Sequence, residues 1–70
     1  KHLIVDIGNT RIKTAVFEEE YVLDESVFVV FADLLTYSKK QVFNHAIISS
    51  VTYTESELLA LLDFPFLFLS

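Results

Sequence analysis

The stretch Asp6-Ile7-Gly8-Asn9-Thr10-Arg11-Ile12-Lys13 decides the fold of this chain. It follows the apolar run Leu3-Ile4-Val5 and precedes a second strand-like segment, Thr14-Ala15-Val16-Phe17. Gly8 is the only glycine in 70 residues, and it lies where the first apolar strand must turn back. Because glycine has no Cβ, it suits a tight turn whose backbone comes close to a ligand. The stretch therefore predicts a strand–turn–strand unit with its functional groups at the turn.

The polar side chains around this turn are suited to a polyphosphate and its metal. Asp6 offers a hard carboxylate oxygen to Mg²⁺ or to its bound waters. Asn9 and Thr10 offer hydrogen-bond donors, and Lys13 offers a point charge for phosphate. Arg11 is a charge at the edge of the turn and a further candidate for contact with the nucleotide. A Walker-type loop would instead need several glycines and Gly-Lys-Ser/Thr at the start of a helix.

The pattern Asp-x-Gly-Asn-Thr-x-x-Lys resembles the first phosphate-binding motif of the type III pantothenate kinases. These enzymes belong to the acetate and sugar kinase/Hsp70/actin superfamily of ATP-binding folds. All five motif positions match, at Asp6, Gly8, Asn9, Thr10 and Lys13. The Gly-Asn-Thr core is more specific than the Gly-Thr or Gly-Gly-Thr of most superfamily relatives.

A second segment, Ala46-Ile47-Ile48-Ser49-Ser50-Val51, is similar to the family's apolar strand that ends in Ser-Val. The family often continues with Val-Pro, whereas this chain has Thr52-Tyr53. The family's pantothenate-binding and general-base motif, of the Gly-x-Asp-Arg type, does not occur in the 70 residues. The resemblance therefore implies the N-terminal part of a longer enzyme, with its catalytic base outside this chain.

The resemblance implies transfer of the γ-phosphate of ATP to the 4′-hydroxyl of pantothenate, the first step towards coenzyme A. It implies Mg²⁺ and a monovalent cation (K⁺ or NH₄⁺) as cofactors, and a cytoplasmic homodimer as the full-length enzyme. It places Mg²⁺ at Asp6, directly or through water. The residues expected to bind the ATP phosphates are Asp6, Gly8, Asn9, Thr10, Arg11 and Lys13.

Composition restricts the other possibilities. The formal net charge of −5 and the scattered basic residues argue against a nucleic-acid partner, which needs clustered Lys and Arg. No apolar stretch reaches the ~18 residues of a membrane span, and Asp6 interrupts the first apolar run too early for a signal peptide. We therefore expect an intracellular protein. The chain starts at Lys1 and stops after an apolar run, 66–69, typical of a buried central strand, so we expect a single domain over 1–70 that is a fragment.

The hydrophobic pattern predicts the order β-β-β-α-β-α-β. The predicted segments are strands at 2–7, 11–18 and within 21–30, a helix over about 33–42 with Leu34, Leu35 and Val42 on one side, a strand at 45–51, a helix that starts at Thr54 and carries a Leu58, Leu61, Leu62 stripe, and a strand at 66–69. Thr54 and Glu57 form a capping-box pattern, and the acidic segment 18–20 favours a loop longer than a two-residue hairpin turn. Three meandering strands followed by two α–β crossovers predict an α/β, ribonuclease-H-like half-domain with an incomplete mixed sheet.

Two other functions use the same pattern. A ribonuclease-H-like nuclease or recombinase would use Asp6 as its first-strand metal ligand. It needs further acids at strand ends, whereas Asp24 and Asp63 are predicted in loop-like or helix-end positions. A non-catalytic regulatory domain is the third reading, since relatives of the family have carried a transcriptional-accessory label. Ser49 and Ser50 end a predicted parallel strand, which is the ligand side of an open α/β sheet.

Overall fold

The computed structural model describes residues 1–69, which form five strands and two helices. The elements are β1 (His2–Ile7), β2 (Ile12–Glu18), β3 (Tyr21–Phe28), α1 (Phe31–Lys40), β4 (His45–Ser50), α2 (Glu55–Leu61) and β5 (Leu67–Leu69). The predicted α/β class and the order β-β-β-α-β-α-β are confirmed. Neither of these helices has the length and hydropathy that a bilayer crossing requires.

The five strands form one mixed sheet in the order β3-β2-β1-β4-β5. β1 is the central strand, as its apolar run predicts. It pairs antiparallel with β2 and parallel with β4, and β4 pairs parallel with β5. The carboxyl ends of β1, β4 and β5 therefore lie at one edge of the sheet, and the β1–β2 turn is at that edge.

Only one face of the sheet is covered by helices. In β1, Leu3, Val5 and Ile7 are buried, while the alternating residues are exposed. Leu34 of α1 and Leu58 of α2 pack on the buried side, each with 0% of its surface exposed. We call this side the helix-covered face and the opposite side the open face. The buried hydrophobic core consists of Leu3, Val5, Ile7, Ile12, Val16, Leu34, Ala46, Ile48, Leu58 and Leu62.

The open face combines apolar and charged side chains. The alternation predicted for β2 is confirmed, because Ile12, Thr14 and Val16 are buried whereas Lys13 is exposed on the other side. Ile4 is 38% exposed on the open face, and Leu67 is 61% exposed at the end of the sheet. Apolar side chains thus reach the surface here.

α2 begins at the predicted capping box. The Thr54 hydroxyl accepts a hydrogen bond from the Glu57 N–H at 3.2 Å, and the Glu57 carboxylate accepts one from the Thr54 N–H at 2.9 Å. The predicted leucine stripe is wrong at Leu61, which is 45% exposed. Leu58 and Leu62, one turn apart, make the contact of this short helix with the core, and Leu61 falls outside that narrow stripe.

The bounds of α1 differ from the prediction. The helix begins at Phe31 and ends at Lys40, because Val30 and Gln41 at its two ends have extended backbones. Val42, predicted on its buried side, follows the helix and is 76% exposed. Lys39 and Lys40 do lie in the last turn, where cations favour the helix dipole.

Three further predictions are wrong. β2 and β3 are joined by a two-residue turn rather than by the predicted longer loop. The short turn is possible because Glu19 adopts a left-handed φ of 55°, a conformation found mostly in glycine. Asp24 lies within β3 rather than in a loop, opposite Val16 and next to a register shift between Val16 and Phe17. β5 is an edge strand of the described sheet rather than a central one, because it pairs with β4 alone.

Candidate functional site

The β1–β2 turn is a tight connection at the carboxyl edge of the sheet. Ile7 and Ile12 form the last residue pair of the two strands. Beyond them the N–H of Gly8 donates to the carbonyl of Arg11 at 2.9 Å, which leaves Asn9 and Thr10 at the tip. This edge is where open α/β sheets bind their ligands.

Gly8 is favoured by a close approach and not by an unusual φ angle. The φ angle of Gly8 is not positive. A Cβ built on Gly8 would lie 3.2 Å from the carbonyl oxygen of Arg11, which is closer than ordinary van der Waals contact. A larger residue would thus push the two arms of the turn apart by a few tenths of an ångström.

Three polar side chains form a row across the open face, one strand apart from each other. Lys13 on β2 lies directly opposite Asp6 on β1, and Ser49 on β4 lies directly on its other side. Residues directly opposite each other on antiparallel strands, such as Asp6 and Lys13, have Cβ atoms about 4.5–5.5 Å apart. The structure thus places an aspartate, a lysine and a serine side by side on the open face beside the turn. We call these residues the polar row.

The carboxylate of Asp6 is oriented but exposed. The hydroxyl of Ser49 donates a hydrogen bond to Oδ1 of Asp6 at 3.2 Å. Oδ2 of Asp6 accepts no hydrogen bond from any residue in 1–69. One oxygen is thus held by the protein, and the other is open to water, a metal ion or another cation.

The tip of the turn borders a separate hollow on the helix-covered side. This hollow has a volume of about 100 Å³ and is lined by the turn together with Val29, Phe31, Thr52 and Tyr53. The rings of Phe31 and Tyr53 lie 4.9 Å apart. Two aromatic rings thus line the hollow beside the turn.

The predicted site residues therefore fall into two groups. Asp6 and Lys13 belong to the polar row on the open face. Gly8, Asn9, Thr10 and Arg11 form the turn and line the hollow behind it. The turn lies between these two regions. A ligand bound on the open face would therefore contact the polar row and, next to it, the backbone of the turn.

The loop between β4 and α2 braces this turn, which sequence reasoning did not find. The Val51 N–H donates to the Ile7 carbonyl at 3.0 Å, and the Thr52 hydroxyl donates to the Gly8 carbonyl at 3.0 Å. In sequence, Thr52 stands out only because it replaces the residue that the family motif favours. Its contact could be found only by placing β4 beside β1.

Ser50 has a local role in the same loop. Its hydroxyl oxygen accepts hydrogen bonds from the N–H groups of Thr52 at 3.2 Å and Tyr53 at 2.8 Å. In register it pairs with Ile7, so it lies on the helix-covered side, unlike its neighbour Ser49. Of the two serines, only Ser49 belongs to the polar row.

Asp6 has no cluster of acidic partners. Within residues 1–69, no group of three or more His, Cys, Asp or Glu side chains is arranged to hold a metal ion. Asp24 lies opposite Val16 and so faces the helix-covered side, where its carboxylate accepts hydrogen bonds from Ser26 at 3.3 Å and from Tyr37. Burial and this hydrogen bond to Asp24 raise the pKa of Tyr37. Asp6 and Asp24 thus lie on opposite faces of the sheet.

No protein-family model matches the chain, and no curated protein matches it significantly.

Proposed function

We propose that this chain is the phosphate-binding part of an ATP-dependent kinase of the type III pantothenate kinase family. The observation that carries the proposal is the position of Lys13 directly opposite Asp6, beside the Gly8 turn and at the carboxyl edge of the central strand. A cation for phosphate and an oxygen ligand for its metal thus share one exposed surface. The match to Asp-x-Gly-Asn-Thr-x-x-Lys supplies the choice of family.

The topology supports a ribonuclease-H-like half-domain as the finer description of the fold. Three antiparallel strands meander along the chain, and two helical crossovers then add β4 and β5 in parallel to β1. The open face is where the triphosphate would lie, because Asp6 and Lys13 are both exposed there.

The chemistry that these residues can perform is positioning and charge neutralisation, which are the main requirements of phosphoryl transfer. Lys13 would neutralise phosphate charge, and the turn would offer its backbone and the side chains of Asn9, Thr10 and Arg11. Asp6 would hold Mg²⁺ directly or through water. Its free, exposed carboxylate oxygen fits such a hard cation. The bound metal would screen the phosphate charge.

The remaining parts of the reaction are assigned to protein beyond these residues. The general base and the pantothenate pocket are proposed to lie there, because the Gly-x-Asp-Arg type of motif does not occur in this sequence. The monovalent cation, K⁺ or NH₄⁺, and the homodimer follow from the family resemblance alone. No residue of this chain is assigned to either.

The test is pantothenate-dependent release of ADP by the full-length protein, together with titration of Mg-ATP. We expect both binding and turnover from the full-length protein, and binding without turnover from the 70-residue chain. Binding of Mg-ATP by the full-length protein without turnover would favour the regulatory alternative. Binding of DNA in place of ATP would favour the nuclease alternative, although the direct strand neighbours of Asp6 are Lys13 and Ser49 rather than acids.

A further inference from the structure

The backbone of the turn departs from an ordinary two-residue hairpin at Gly8. In a hydrogen-bonded pair of antiparallel strands, the two residues exchange both of their N–H···O=C bonds. Here the Gly8 N–H donates to the Arg11 carbonyl, but within residues 1–69 no return bond joins the Arg11 N–H to Gly8. The Gly8 carbonyl instead accepts a hydrogen bond from the hydroxyl of Thr52 at 3.0 Å. It is therefore turned towards the β4–α2 loop.

This orientation determines where the next amide points. The described chain has no cis peptide bond, and a planar trans peptide holds its C=O and its N–H on opposite sides. With the Gly8 carbonyl held towards Thr52, the N–H of Asn9 points away from the β4–α2 loop. The N–H groups of Asn9, Thr10 and Arg11 find no acceptor within 1–69, and all three residues are exposed.

Successive backbone amides without an internal acceptor can bind an anion. We infer that Thr52 is a positioning residue for this turn, whose hydroxyl holds the Gly8–Asn9 peptide so that the Asn9 amide faces a bound phosphate. The inference rests on the proposed function, since it assigns a role in phosphate binding. Thr52 does not itself contact the ligand.

The surrounding hydrogen bonds make Thr52 a firm anchor. Its own N–H is held by the Ser50 hydroxyl at 3.2 Å, and the preceding Val51 N–H is bonded to the Ile7 carbonyl at 3.0 Å. Without the Thr52 hydroxyl, the Gly8–Asn9 peptide could rotate. Its carbonyl oxygen would then replace an N–H donor at the phosphate and repel it.

The experiment compares Thr52→Val, which keeps the shape but removes the hydroxyl, with Thr52→Ser, which keeps the hydroxyl. Thr36→Val is the matched control, because the Thr36 hydroxyl also donates to a backbone carbonyl, that of Ala32, but in α1. Binding of Mg-ATP and of inorganic pyrophosphate is measured by calorimetry. The Asn9 amide is followed by ¹⁵N–¹H NMR, and stability is followed by thermal melting. Thr52 is exposed, so each variant should fold.

We expect Thr52→Val to weaken both ligands about five- to twentyfold and to shift the Asn9 amide signal in the free protein. Thr52→Ser and Thr36→Val should bind within about twofold of the wild type. Wild-type affinity in Thr52→Val would overturn this inference and leave the proposed function standing. Equal loss in Thr52→Ser would also overturn it, because the hydroxyl would then not be the cause. A wild-type protein that binds neither ligand would overturn the proposed function, and the role of Thr52 with it.

Discussion

Ser49 donates a hydrogen bond from its hydroxyl to the carboxylate of Asp6 across the adjacent strands β4 and β1, with 3.2 Å between Oγ and Oδ1. The two residues occur 43 positions apart in the chain and become direct neighbours through parallel pairing. The contact fixes one oxygen of Asp6 and leaves the other accessible. If Asp6 binds the metal of a nucleotide, Ser49 controls how its carboxylate is presented.

Ser49→Ala should therefore weaken the binding of Mg-ATP about three- to tenfold, the size of one lost hydrogen bond to a charged group at an exposed site. Isothermal calorimetry measures the effect. Ser26→Ala is the matched control, because Ser26 donates a similar hydrogen bond to the carboxylate of Asp24 at 3.3 Å, away from the turn. An equal loss in both variants would show that Ser49 has no particular relation to the site.

Asp6→Asn should weaken Mg-ATP about 10- to 100-fold, because it removes the only carboxylate of the polar row. Since Asp6 is exposed on the open face, the urea midpoint of unfolding should change little. The loss should be much smaller for ATP measured without Mg²⁺, where no metal depends on the carboxylate. Glu25→Gln, at an exposed position of β3, removes the same charge and should leave affinity within about twofold. Unchanged Mg-ATP binding by Asp6→Asn would remove this residue from the metal site.

Tyr37 gives the protein a dependence of stability on alkaline pH. Burial, followed by the hydrogen bond to Asp24, raises the pKa of Tyr37 above its usual 10.0. The folded state therefore holds this proton more tightly than the unfolded state. The resulting stabilisation is complete below about pH 10 and is lost as the pH rises through the folded-state pKa.

Tyr37→Phe should lower the free energy of unfolding by about 0.5–1.5 kcal/mol at pH 7, through loss of the hydrogen bond to Asp24. The packing of the ring on Phe28, at 5.1 Å between centroids, can be kept. Urea unfolding between pH 7 and pH 11 measures the difference between the two proteins, which should stay constant to about pH 9 and shrink above pH 10. A difference that grows above pH 10 would contradict the direction of the pKa shift.

The Asp6–Lys13 part of the polar row could be predicted from the sequence, because it depends on local alternation alone, whereas Ser49 joins the row only through the pairing of β4 with β1. Asp6 and Lys13 form the pair directly before the Ile7–Ile12 pair, on the strand side of the turn. With side chains alternating along each strand, a tight turn places both residues on the same face. The capping box of α2 is equally local, and it is predicted down to Thr54 and Glu57.

The features that sequence reasoning missed depend on context. The left-handed φ of Glu19 is uncommon for a residue with a side chain, so the short β2–β3 turn could not be inferred from composition. The contact of Thr52 with Gly8 spans 44 positions and exists only because β4 runs parallel to β1. Val42 is exposed because the extended backbone at Gln41 ends α1 before it. The sequence has no glycine or proline there that would predict this helix end.

Lys13 provides the most direct test, because the proposed function requires a phosphate-binding cation at this position of the open face. Mg-ATP is titrated by calorimetry into the wild-type protein, Lys13→Ala and Lys39→Ala, the last being an exposed lysine of α1 that serves as the control. We expect measurable binding by the wild type and by Lys39→Ala, with a roughly 10- to 100-fold loss in Lys13→Ala. Wild-type affinity in Lys13→Ala, or no binding by any of the three proteins, would contradict the assignment of this turn to ATP.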